Sequence, residues 1–188
     1  MGSGQVAMEA ATYHDVDAVV LTGMTHHVSP DTLLKIVMAQ VHPAPLDPVT
    51  SPQWPLDAGM LTTVTGQRAA LFHADATPAV LAHDEATKGV VSAVEISDTV
   101  AQAFTLAESR AINVPVLLVN GSKDAIFCSG LLGVPCTTSA ELTAAEAAYF
   151  SAAAKLKTAV IVGAGHCLEL SPQAPAVSAI INSWLAAL

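Results

Sequence analysis

Two apolar runs, each halted by glycine and followed by a polar residue, frame the chain. Thr158 to Leu170, TAVIVGAGHCLEL, is a β-branched run that stops at Gly163 and Gly165 and delivers His166. Val114 to Asp124, VPVLLVNGSKD, repeats the design and delivers Asp124. Short apolar runs bounded by turn residues read as buried strands. An acid and an imidazole are therefore predicted just past the C-terminal ends of two parallel strands, on one rim of a sheet. Upstream, Gln5 to Tyr13 has apolar residues at helical spacing, and His14-Asp15 turns the chain into a strand over Val16 to Leu21 that Thr22-Gly23 ends. Near the other end, Thr138 or Ser139 caps a predicted helix over Glu141 to Phe150, with Glu141 in its first turn. A strand over Thr158 to Val162 follows, and then a closing helix over Ala174 to Leu188 whose Trp184 and leucines are predicted to face the sheet.

From Met24 to about Arg110 the texture changes to frequent prolines and short amphipathic pieces. Helices are predicted from Pro30 to Gln40, from Leu81 to Val94 and from Ile96 to Ser109, the last on apolar residues three and four apart. HPAPLDPVTSPQWP, His42 to Pro55, is punctuated by proline too often for a continuous helix or a central strand. A stretch this long is too large for a bare connector. It reads as a mainly helical cap, residues 24–110, inserted into an α/β core of residues 1–23 and 111–188. The order helix, strand, cap, strand, helix, strand, helix specifies a three-layer α/β fold with parallel strands and right-handed crossovers.

Composition narrows the partners. With 188 residues and 52% hydrophobic content there is material for one substantial core. A formal net charge of −9 with only seven Lys+Arg lacks the basic footprint that nucleic acid or an anionic membrane surface requires, so both are excluded as partners. No apolar span of bilayer length is visible, and the N-terminus shows no basic region followed by an apolar one. The chain as written reads as cytoplasmic, with secretion open if the true start lies upstream. Cys128 and Cys136 flank a short Gly/Pro loop and read equally as a disulfide or as reduced thiols, while Cys167 reads as packing.

Other chemistry is weaker. Val162-Gly163-Ala164-Gly165 after a strand invites a dinucleotide reading, but the third glycine that fingerprint needs falls on Leu168. His26 and His27, just past the first strand, face the predicted rim, so that one of them lines a substrate pocket or, the preferred reading, both are solvated or capping; a two-histidine metal site is not expected, since adjacent residues on an extended segment point apart. His14, His42, His73 and His83 receive no function. Asp15 and Asp17 read as turn formers, and Asp84 and Glu85, ahead of Lys88, as an exposed helix face. No cofactor and no metal are expected.

The two strand and loop units resemble the α/β-hydrolase family, whose triad runs nucleophile, acid, histidine in chain order. VPVLLVNGSKDAIF resembles the acid strand and loop, and VIVGAGHCLEL the histidine loop, so the resemblance implies Asp124 as acid and His166 as base. MGSGQVAMEA resembles the residues just past the serine of the G-x-S-x-G elbow, which makes Met1 an oxyanion-hole donor and places the nucleophile one position ahead of it. Ser3 lacks the spaced glycines and the preceding strand of an elbow and reads as a helix-start residue. The fold implied is the C-terminal portion of an α/β-hydrolase. The function implied is acyl hydrolysis of a small ester-like substrate by a Ser-His-Asp triad of which this chain holds the acid and histidine, so that alone it is a poor or dead hydrolase. Serine and aspartate nucleophiles are not separated by these residues. The alternatives are a non-catalytic half-fold module that pairs or self-associates through the exposed edge of the strand Val16 to Leu21, and an unrelated nucleotide-binding α/β protein.

Overall fold

A computed structural model describes residues 2–28, 30–36, 40–103, 109–128 and 133–188. Along the chain run helix Gly2–Tyr13 (α1), strand Val19–Thr22 (β1), helix Pro30–Lys35 (α2), and strands Val41–Pro43 (β2) and Met60–Thr63 (β3). Helices Arg68–Phe72 (α3) and Pro78–Ala86 (α4), strand Val91–Ser92 (β4) and helix Ala93–Ala103 (α5) follow. Strand Val116–Gly121 (β5), helix Ser139–Glu146 (α6), strand Lys157–Ile161 (β6) and helix Ala174–Leu185 (α7) complete the order.

Among the described residues β1, β5 and β6 form a parallel sheet in the order β1-β5-β6. All six residues of β5 are buried, as a central strand covered on both faces must be. Its side chains alternate between two cores. Val116 and Leu118 join Leu21, Leu142 and the small face of α1 (Ala7, Ala10, Ala11), while Leu117 and Val119 join Ile161, Leu168 and Val177. Helices α1 and α6 thus cover one side of the sheet and α7 the other. Helix α6 begins with a capping box, in which the Thr138 hydroxyl accepts from Glu141 N–H and the Glu141 carboxylate accepts from Thr138 N–H.

Among the described residues β1 is an edge strand. Val19 and Gly23 donate toward β5, to Pro115 and Val119 carbonyls, so Val20 and Thr22 turn their backbone groups to the outer side. There Ser3 Oγ donates to the Thr22 carbonyl at 2.7 Å and accepts from its N–H at 3.1 Å. The serine at the helix start therefore ties α1 to the strand edge.

Residues 24–110, the segment read above as a cap, hold α2, α4 and α5 near helices that the pattern predicts, and also α3 and an antiparallel sheet ordered β2-β3-β4 that the pattern does not reveal. The predicted helix Leu81 to Val94 is really two elements. Thr77 caps α4 by accepting from Val80 N–H, the helix ends at Ala86, and Val91-Ser92 pairs with Met60-Leu61. Of the predicted helix Pro30 to Gln40, Pro30–Lys35 is α-helical, and residues 37–39 lie outside the described residues. On α7 the sheet-facing residues are Val177, Ile180, Ile181 and Trp184, whereas Leu185 and Leu188 are 46% and 62% exposed. The leucines expected on the sheet lie outside the apolar stripe. The sheet also demands one close approach: a Cβ at Gly121 would lie 2.7 Å from the Ala164 carbonyl carbon, closer still to two carbonyl oxygens.

Candidate active site

The turn after β5 fixes Asp124. Its N–H bonds the Gly121 carbonyl, and its Oδ1 accepts from the N–H groups of Ile126 at 2.8 Å and Phe127 at 3.1 Å. This is the Asx-type self-capping that makes aspartate common in turns. It leaves Oδ2 on a carboxylate that is only 1% exposed, and that oxygen lies 2.9 Å from His166 Nδ1. A buried carboxylate held by two N–H groups acts as an acceptor, so Nδ1 carries the ring proton and Nε2 keeps its lone pair.

His166 arrives on the loop after β6. The loop is stitched to the acid turn by Lys123 N–H to the Ala164 carbonyl at 2.9 Å, and to the cap by Cys167 N–H to the Phe72 carbonyl at 2.9 Å. Its ring packs against both Phe72 and Phe127, with centroids 5.6 and 5.8 Å away. Gly23, with φ at +56°, completes the fit, since a Cβ there would meet the imidazole Nδ1 at 3.1 Å. Among the described residues no group hydrogen-bonds Nε2.

His166 lines a cavity of about 380 Å³ between core and cap. Val41, Leu61 and Val91, one from each strand of the cap sheet, form one wall, and Ile126 and Phe127 of the acid loop form part of another. Arg68 and Thr63 also line it. Arg68 is held by Asp84, with Nη2 to Oδ1 at 2.6 Å and Nε to Oδ2 at 2.8 Å, and its guanidinium lies 4.8 Å over the Phe72 ring. His73 Nε2 adds a third contact to Asp84 at 2.8 Å. Burial works to push the Asp84 carboxyl up, but the hydrogen bonds from Arg68 and His73 outweigh it and hold it below its ordinary value.

The other predicted residues scatter. Met1 lies outside the described residues. His26 and His27 do not line the cavity. His26 is buried on the α6 side, with Nδ1 at 2.6 Å from Glu146 Oε2, Nε2 at 2.7 Å from Ser109 Oγ and the Tyr149 ring stacked at 4.2 Å. His27 packs on the edge of Tyr149. The chain turns after Gly23, so both rings point toward α6 and away from the rim. Cys128 and Cys136 are joined by a disulfide. Burial, aided by Asp84, pushes the Cys167 thiol up to about 11, which suits packing and not nucleophilic chemistry.

Asp84 and Glu85 are not a solvated face. Asp84 is buried against Arg68, and Glu85 pairs at 2.5 Å with Lys88, which is itself buried against Asp47 at 2.7 Å. His42 and His73 likewise find acid partners, Asp47 and Asp84. Sequence reading missed Arg68, Thr63 and these pairs. Their partners lie on separate elements, at spacings that carry no periodic signal.

No protein-family model and no curated protein matches the chain. Solved structures do. The monoacylglycerol lipase of Paleococcus ferrophilus matches with a TM-score of 0.58 at 17% identity, over 98% of this chain and 65% of its own. An E-2-(acetamidomethylene)succinate hydrolase matches at 0.56 and 18% identity, over 96% and 62%. The esterase domain of a Rhodothermus marinus protein matches at 0.53 and 17%, over 97% and 56%. The chain thus spans less than two thirds of the length of each, and identities this low establish likeness of fold.

Proposed function

Starting from the partial α/β-hydrolase fold that this chain has, we propose that its site performs the acid–base work of acyl hydrolysis on a small ester. The observation that carries this reading is the 2.9 Å contact between the buried Asp124 carboxylate and His166 Nδ1, with Nε2 left free at the cavity. In that reaction Nε2 takes the proton of an attacking hydroxyl as its oxygen bonds to the acyl carbon. The imidazolium, steadied by Asp124, returns the proton to the departing alcohol, and water then repeats the sequence to free the acid. Asp124 holds the tautomer through its bond to Nδ1.

The nucleophile, in this proposal, is not among the described residues. Ser3 Oγ is committed to both backbone groups of Thr22, and Ser109 Oγ to His26. In this proposal the nucleophile comes in on the outer side of β1, where no described strand pairs the backbone of Val20. The test is turnover of p-nitrophenyl butyrate by the 188-residue chain beside its His166→Ala variant. Equal, background rates are expected. His166-dependent turnover overturns the absent nucleophile, and an in-frame Gly-x-Ser reading immediately upstream of Met1 supports it.

A second reading is a binding module that uses the β1 edge. It is favoured by the outward-facing backbone groups of Val20, which no described strand pairs. Light scattering that gives a clean monomer at high concentration counts against self-association through that edge.

A further inference from the structure

Arg68 is the one cation among the described residues that line the cavity, whose remaining walls are mostly aliphatic and aromatic. It is also held in place before any ligand arrives. Asp84 takes Nε and Nη2 in a two-point fork, the Phe72 ring supports the guanidinium plane, and His73 fixes Asp84 from behind. Among the described residues nothing accepts from Nη1. Because the Phe72 ring also packs against His166, the free end of the guanidinium stands one ring away from the imidazole.

The charge at this point is already spent. Asp84 neutralises Arg68 at contact distance, Asp124 adds a second buried carboxylate against His166, which lines the cavity, and the chain carries −9 overall. A ligand carboxylate gains little from a guanidinium so compensated, and it is opposed by both acids. A neutral carbonyl or ether oxygen loses little on leaving water and still takes the Nη1 hydrogen bond. We infer that Arg68 reads an uncharged acceptor oxygen, so that the cavity takes a compact neutral acyl compound with a second carbonyl or ether oxygen a few bonds from the reacting carbonyl. At ~30 Å³ per water-sized unit the space suits roughly a dozen non-hydrogen atoms. The reacting end of this class rests on the role proposed for His166.

The experiment uses the purified chain and ligands that cannot be hydrolysed, so ester turnover does not enter the result. Three are titrated by NMR: hexyl methyl ketone, the terminal diketone of equal length, and the matching keto acid. The diketone is expected to bind about tenfold tighter than the monoketone, with the keto acid weakest. Asp84→Asn, which uncovers the Arg68 charge, is expected to move the keto acid to first place. Arg68→Met together with Asp84→Asn, which leaves no unpaired carboxylate behind, is expected to make monoketone and diketone equal. A wild-type chain that prefers the keto acid, ranks all three alike or binds none overturns the inference, as does a diketone preference that survives loss of Arg68. Failure of ester turnover with this ranking intact would instead count against the hydrolytic reading alone.

Discussion

The placement of His166 against Asp124 depends on the absence of a side chain at Gly121, and Gly121→Ala tests that dependence. A Cβ there meets the Ala164 carbonyl carbon at 2.7 Å, with the carbonyl oxygens of Ala164 and Gly165 nearer still. These atoms belong to backbone, so no rotamer relieves the clash. Restoring an ordinary carbon–carbon separation requires the histidine loop or the end of β5 to move by about 1 Å. The Lys123 N–H to Ala164 carbonyl bond, now 2.9 Å, and the His166 to Asp124 bond, also 2.9 Å, then stretch beyond hydrogen-bonding range. Overpacking of this kind costs about 1–3 kcal/mol. In a chain of 188 residues that lowers Tm by roughly 2–12 °C. Thermal unfolding by circular dichroism reads the stability, and amide hydrogen exchange at Lys123 reads the loop. Gly89→Ala, where an added Cβ meets nothing within 4 Å, is the control and should leave Tm level or slightly raised. If Gly121→Ala melts with wild type and Lys123 stays protected, the close approach of loop and strand is wrong.

Other substitutions test the cap and the acid loop. Lys88→Met strands the fully buried Asp47 carboxylate, to which Lys88 Nζ now donates at 2.7 Å; a loss of about 3–5 kcal/mol is expected in urea unfolding, and a loss under ~1 kcal/mol contradicts the pairing. Burial works to raise the Asp47 carboxyl, but hydrogen bonds from Lys88, Val49 N–H and His42 bring it down to about 2 from its ordinary 3.8. A carboxyl depressed by folding adds stability above pH ~4 that is lost as pH falls through about 2, so Asp47→Asn should flatten the acid limb of stability against pH. Thr63 Oγ1 is buried without a hydrogen-bond partner among the described residues, and Thr63→Val should raise stability by about 1 kcal/mol in denaturant melts; a clear loss would show that the hydroxyl is satisfied. Reducing the Cys128–Cys136 bond should cost about 2–3 kcal/mol, visible as a lower Tm in dithiol, and an unchanged melt would show that the bond carries no constraint.

The core was legible where one local rule sufficed. A β-branched run stopped by glycine marked both β5 and β6, and Thr138 with Glu141 announced the start of α6. The contact between Asp124 and His166 follows from those strands being neighbours in register, with Gly121 opposite Ile161. The cap sheet escaped because its strands are two to four residues long, and β2 ends in proline, which an edge position tolerates. Val91-Ser92 looked helical because Leu81 to Ala86 before it is helical, and only pairing with Met60-Leu61 makes it a strand. Asp84 and Lys88 looked solvated because their partners, Arg68 and Asp47, lie 16 and 41 residues away. Burial of charge is a tertiary fact that hydropathy along the chain cannot encode.

Asp124 holds the His166 ring with its proton on Nδ1 and its lone pair at the cavity. Long-range ¹H–¹⁵N correlation spectra of the histidine side chains, recorded on the wild-type chain and on Asp124→Ala, test it directly. His166 is expected in the Nδ1–H form in the wild type and is expected to lose it in the variant, where no carboxylate accepts that proton. An Nε2–H ring in the wild type, or the same tautomer in both proteins, would contradict it.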